Sequence, residues 1–302
     1  MFEKMTDLAL ESHEIRAERG EDDGVELRDY MRYGCNITDA VVKSGEGERL
    51  AGKPAGRYIT VELDRLWQND KNALERSVKA VADELKPLLP EGEGCVLAVG
   101  LGNEDITPDS VGPRAVRSLI VTRHLKGMAP DLYRGAGFSS LAALSPGVLG
   151  KTGIESADII RGVCDEIKPK CVVIIDALAS RRLSRLASTV QISDGGICPG
   201  SGVFNRRMKI DRDTLGVKVV SVGVPTVVDA ATLAYDLLEE AFGKDKQGLE
   251  PAKKLAQGRG KDLFVAPKDS DSMARDVAKL VAGAINIAVH GLDIESMNEY
   301  SS

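Results

Sequence analysis

Histidine is scarce in this sequence: three in 302 residues, far apart at His13, His124 and His290. That argues against a histidine-built zinc site or a serine–histidine pair, and neither H-E-x-x-H nor G-x-S-x-G occurs. The five cysteines are odd in number and form no C-x-x-C pair, and Cys95 and Cys171 lie in apolar runs. They read as buried thiols rather than disulfides or metal ligands. No apolar run approaches the roughly 20 residues that cross a bilayer, and the charged start MFEKMTDLALESHEIRAERGEDDG has no signal-peptide core. The expectation is a cytoplasmic protein with no membrane partner. A basic excess is missing too, since the net charge is −6. This argues against direct nucleic-acid binding, which needs a positive face that displaces counterions. Ten acids and four bases fall in residues 1–30, so the rest of the chain is formally neutral. The acidic start reads either as a solvated tail or as a segment to be removed or moved.

What is present is an ordinary globular composition, 43% hydrophobic, enough for one large domain or two small ones. GRYITVEL (56–63) reads as a strand, and the stretch 69–90 as a helix with Leu74, Val78, Val81, Leu85 and Leu88 on one face. CVLAVGL (95–101) and CVVIIDALAS (171–180) have the look of interior parallel strands, and 217–241 reads as a third strand running into a helix. Thr107-Pro108 predicts a helix start, Thr152-x-x-Glu155 a capping box, and 272–292 an amphipathic closing helix. Strand and helix alternate, which predicts an α/β fold with a mostly parallel sheet covered by helices on both faces. The glycine-rich stretch 194–207 reads as a loop, and 244–262 as a polar surface insertion.

The chemistry centres on VLAVGLGNEDITPDSVGP (96–113), an apolar strand that breaks at Gly100-Leu101-Gly102 and then turns acidic. The glycines suggest a phosphate cradle, but Asp105 stands where G-x-G-x-x-G needs its third glycine. Asp109, and Asp176 at the end of VVIID, fall at carboxyl ends of parallel strands, where ligand crevices form. Two carboxylates facing each other share a proton and can serve as base and acid on a water and a peptide bond. Each also has a bland reading: Asp109 as a helix stabiliser, Asp176 as a charge that ends a strand. Arg181, Arg182 and Arg185 follow closely enough to receive an acidic substrate side chain, or they form a solvated turn. Gly200 and Ser201 lie in the loop whose backbone N–H groups are candidates for substrate or oxyanion contact. Arg123-His124 reads as dipole compensation or as support for the site, and SPGVLGKT (145–152) as a failed P-loop. Carboxylates also suit a hard cation that activates water, and a non-catalytic nucleotide-binding module stays open.

The segments TDLALE, GRYITVEL, VGLGNEDITPDSVGP, VTRHL, SPGVLGKTGIES, IIDALASR, QISDGGICPGSG and VGVPTVVDA run in order from residue 6 to about residue 230. In this the chain resembles the germination proteases of spore-forming bacteria, which degrade small acid-soluble spore proteins. The resemblance implies a fold similar to hydrogenase-maturation endopeptidases and an aspartic-type peptidase without a D-T-G motif. It implies that the two essential aspartates are Asp109 and Asp176; no cofactor is expected, and a metal stays open. It further implies a zymogen that cuts itself at Thr6-Asp7-Leu8-Ala9, between Asp7 and Leu8, at a site like those in its substrates. The division that follows is a propeptide at 1–7, a mobile acidic N-terminal arm at 8–55 and a single catalytic domain at 56–302. A homotetramer in the developing spore and spore core completes these expectations.

Overall fold

The structure is a computed structural model and describes residues 6–20, 24–64, 67–199, 208–242 and 263–300. One sheet runs through it, built from β1 (Val25–Arg32), β2 (Cys35–Val42), β3 (Gly56–Glu62), β4 (Val96–Gly100), β5 (Leu141–Leu144), β6 (Cys171–Ser180), β7 (Thr189–Ser193), β8 (Lys218–Asp229) and β9 (Phe264–Val265). Their order is β1-β2-β3-β7-β8-β6-β4-β5, with β9 beside β8. The α/β class stands, while the parallel part is confined to β8, β6, β4 and β5. The other pairings are antiparallel. For β1 and β2 the reason lies in Tyr33 and Gly34, which both take positive φ, 51° and 81°, and turn the chain straight back. A two-residue turn of that hand closes a hairpin whose strands can only run antiparallel. This hairpin, within the expected arm, extends the same sheet through β3.

The principal helices are α1 (Ala9–Arg19), α2 (Lys71–Leu85), α3 (Val111–Arg117), α4 (Ser156–Ile167), α5 (Ala230–Phe242) and α6 (Ser270–His290). Helix α2 begins where the Asp70 side chain accepts the Ala73 N–H at 3.0 Å, and it buries Val78, Val81 and Leu85. The side chains of α2, α3 and α6 pack on one face of the sheet against Val173 and Ile175 of β6. Ala157, Ile160 and Cys164 of α4 cover the other face, against Val172 and Ile174. Successive residues of a strand point to opposite faces, so Asp176, even-numbered like Ile174, belongs to the α4 side.

Two local expectations give way. Helix α4 begins at Ser156, and the expected capping box does not form: Thr152 Oγ1 instead donates to Ile154 O at 3.0 Å, in the turn before the helix. Gly153, at φ 70°, ends the preceding short helix and separates the two. At 107 the chain makes a 3-10 turn over Thr107–Asp109 before α3 starts at Val111.

Candidate active site

Strand β4 stops pairing at Gly100, opposite Ile175 of β6. The longer β6 continues beside β8 to Ser180, so Asp176 is an interior strand residue rather than the strand end that the sequence suggests. What opens the crevice is the early end of β4, whose chain leaves through Leu101-Gly102 into the turn that carries Asp109. A cleft of about 460 Å³ results, lined by Asp7, Gly102, Asp109, Asp176, Leu178 and Thr226 among others. The structure thus brings the two expected carboxylates to one cleft.

The glycines have a steric role there. A Cβ on Gly100 would lie 2.2 Å from Gly112 O, so α3 can sit against the strand end only because both residues lack side chains. Gly102 has φ +115°, and a Cβ on it would lie 2.0 Å from Asp109 O. These two glycines make room for α3 and for Asp109.

Each carboxylate is poorly supplied with donors. Asp109 Oδ2 accepts from Asn103 N at 2.7 Å, and Asp176 Oδ1 from the adjacent Ala177 N at 3.0 Å. Burial pushes the Asp109 carboxyl above its ordinary range, and the Asn103 N–H only partly offsets this. Asp176 is pushed up much further, by burial first and then by the negative charges of Asp109 and Asp7. Two carboxyls whose environments raise them unequally divide naturally into one that ionises and one that keeps its proton.

The third carboxylate of the cleft belongs to the start of the chain. Asp7 N donates to Ala179 O at 2.9 Å and Ala179 N donates back to Asp7 Oδ2 at 2.9 Å, so residue 7 lies along the end of β6. The Asp7 carbonyl accepts from Lys53 Nζ at 2.9 Å and more loosely from Gln191 Nε2 at 3.5 Å. Gln191 Oε1 accepts Ala9 N at 2.7 Å. Leu8 is fully buried, which contributes about 1.5–3 kcal/mol toward seating the segment. Glu11, also 0% exposed, accepts from Arg181 N at 2.6 Å, Arg182 N at 3.2 Å and Thr6 Oγ1, and pairs with Arg185 at 3.0 Å. Downstream, Glu14 pairs with Arg182 and Arg185, and Glu18 with Arg181. The acidic arm over α1 is therefore seated by matching arginines rather than left as a solvated tail.

Arg181 and Arg182, expected to hold a substrate acid, hold acids of this chain's own arm. Arg181 also pairs with Asp236 of α5 at 2.9 Å. Gly200 and Ser201 lie outside the described residues, as do most of the glycine-rich loop and all of the 244–262 insertion. Arg123 and His124 are exposed, with Arg123 N bonded to Leu141 O, and Lys151 pairs with Asp105. Among the described residues, no three His, Cys, Asp or Glu side chains gather as a metal site, and no helix is long and apolar enough to cross a membrane. Sequence reasoning missed Lys53, which stands in an unremarkable A-G-K-P-A-G loop. Gln191 carried a usable signal, a lone amide within the apolar strand TVQIS.

Comparison with known proteins decides the family. The family profile described as germination protease matches residues 4–259. The chain belongs to the germination protease family. A germination protease of Caldanaerobacter subterraneus is 43% identical, covering 97% of each chain. One from Clostridium tetani is 41% identical, with 98% of each covered, and one from Bacillus subtilis is 35% identical over 94% of this chain and 93% of the relative. Membership makes this protein a peptidase of the spore-germination type. Among solved structures, the [NiFe] hydrogenase maturation protease HycI of Thermococcus kodakarensis is matched at TM-score 0.36 and 16% identity, over 67% of this chain and 98% of that one. So distant a match adds nothing to the fold read from the strands.

Proposed function

We propose that this germination protease is an aspartic-type endopeptidase, made as a self-processing zymogen, that starts the degradation of small acid-soluble spore proteins. It cuts after an acid and before an apolar residue followed by alanine. The observation that carries the reading is that Thr6-Asp7-Leu8-Ala9, a sequence of that kind, is seated at the cleft, with Asp7 lining it beside Asp109 and Asp176. The precursor then holds its own first substrate. The Glu11 seat, built from two backbone N–H groups and Arg185, would hold an acid four residues beyond Asp7 in a substrate as well.

In the mechanism, Asp109 is the ionised partner and takes a proton from a water, whose oxygen bonds to the Asp7 carbonyl carbon. Asp176 keeps its proton because its site is buried and faces two other acids. It passes that proton to the Leu8 nitrogen as the C–N bond breaks. Activity should rise as pH climbs through the raised Asp109 value and fall as it passes the still higher Asp176 value. We further propose a homotetramer in the spore core that needs neither cofactor nor nucleic acid.

The test is mass spectrometry of a purified small acid-soluble spore protein incubated with the self-processed chain and, separately, with its Asp176→Asn variant. Cuts after an acid and before an apolar residue and alanine, made only by the unmodified chain, are expected. Equal cutting by both would remove the aspartates from the mechanism, and loss of cutting on chelation would move the reading to a metal.

A further inference from the structure

We infer that Lys53 is a catalytic residue, which with the Gln191 amide binds the carbonyl oxygen of the bond to be cut and stabilises the negative charge that develops there. The inference deepens the proposed function and rests on the bond after Asp7 being the one that is cut.

Four observations support it. Lys53 Nζ lies 2.9 Å from Asp7 O and 3.4 Å from Thr6 O, so its ammonium addresses the peptide carbonyls on the acid side of that bond. The Gln191 side chain touches both sides of Leu8: its Nε2 is 3.5 Å from Asp7 O, and its Oε1 accepts Ala9 N at 2.7 Å. That grip fixes the Asp7–Leu8 peptide against β7 while Lys53 approaches its oxygen. The loop that carries Lys53 is itself braced, with Tyr58 Oη donating to Pro54 O at 2.8 Å and Ala55 N donating to Glu48 Oε1 at 2.8 Å. Finally, none of the carboxylates among the described residues forms an ion pair with Lys53, whose described partners are the two carbonyl oxygens.

The Lys53 side chain is partly buried, and its nearest partners are two neutral carbonyl oxygens, which compensate an ammonium only in part at rest. Burial accordingly pulls the Lys53 ammonium below the usual lysine range, against the opposing pull of Asp7, Glu11 and Cys198. The compensation improves when the carbonyl becomes an oxyanion, and an interaction stronger in the transition state than in the ground state is one that accelerates the reaction. In the step, the water oxygen bonds to the Asp7 carbon and the C=O electron pair moves to the oxygen beside Lys53. No proton leaves Lys53. When that pair returns, the C–N bond to Leu8 breaks and the amine takes the proton from Asp176. The assignment also divides the labour: the two aspartates handle protons, and Lys53 handles charge.

An anchoring lysine and a catalytic one predict different results. Self-cleavage of the full-length chain would be followed by intact mass for the unmodified chain, Lys53→Met and Lys53→Arg. Hydrogen exchange at residues 8–11 would be measured for Lys53→Met in an Asp176→Asn background, where no cutting removes the segment. Lys53→Met should slow cutting by about 10²–10³, the usual loss for one oxyanion donor, with protection at residues 8–11 retained and part of the rate recovered in Lys53→Arg. Cutting by Lys53→Met at the unmodified rate overturns the assignment, as does slow cutting accompanied by lost protection, which would make Lys53 an anchor. If the unmodified chain never cuts after Asp7, the proposed function fails and this inference with it; if it cuts and Lys53→Met cuts equally fast, only the inference fails.

Discussion

Asp176 and Glu11 are both buried acids near the end of β6, 6% and 0% exposed, and the structure treats them in opposite ways. Glu11 is met by two backbone N–H groups, a threonine hydroxyl and an arginine. Asp176 has the N–H of the next residue and two negative neighbours. The same burial therefore leaves an anchored carboxylate in one place and a carboxyl pushed well above its ordinary range in the other, and the partners at hand make the difference. A stable protein has no use for a buried acid with so little support; chemistry at a cleft does.

The comparison breaks most severely if the poorly supported acid is dispensable. Asp176→Asn keeps the shape and loses the proposed proton transfer, so self-cleavage should fall by about 10²–10⁴, read as the rate of appearance of the shortened chain. On the anchor side, Arg185→Met leaves Glu11 buried without its cation. That should destabilise the seated arm by about 3–5 kcal/mol, seen as lost exchange protection over α1 and as a lower denaturation midpoint. Retained protection would mean that the backbone N–H groups suffice. Between these lies Gly102→Ala, whose Cβ would collide with Asp109 O. With Asp109 as the proposed base, displacing it by about 1 Å should lower the rate on the order of 10²-fold while circular dichroism stays unchanged.

The smallest effect is on stability, and it has the opposite sign. Because its folded value is raised, Asp176 binds a proton more tightly in the folded chain, and stability is lost as pH rises from the ordinary carboxylate range through that raised value. Asp176→Asn removes this loss. It should therefore melt higher than the unmodified chain near neutral pH, and the difference should vanish as pH falls toward about 4. A variant that melts lower at every pH would show that Asp176 supports the fold.

Much of this was legible in the sequence, for reasons of period and burial. CVVIIDALAS and CVLAVGL are continuous apolar runs, so their place inside a parallel sheet and the interruption by Asp176 could be read directly. The hairpin at 25–42 could not, because its outer strand is largely exposed and its register depends on a Tyr-Gly turn rather than on the common Asn-Gly signal. The aspartates could be named, yet what opens the crevice between them is the mismatch in length between β4 and β6, a pairing fact that no local pattern encodes. The match between Glu11, Glu14 and Glu18 and the arginines at 181, 182 and 185 was visible only as two separate charge runs. They meet because α1 lies along the end of β6, about 170 residues away in sequence.

The most direct test of the account is the intact mass of the purified full-length chain over time, beside that of Asp176→Asn. The unmodified chain should lose residues 1–7 and begin at Leu8 while the variant keeps its full mass. A new start at any other residue, or the same shortening in both chains, would contradict it.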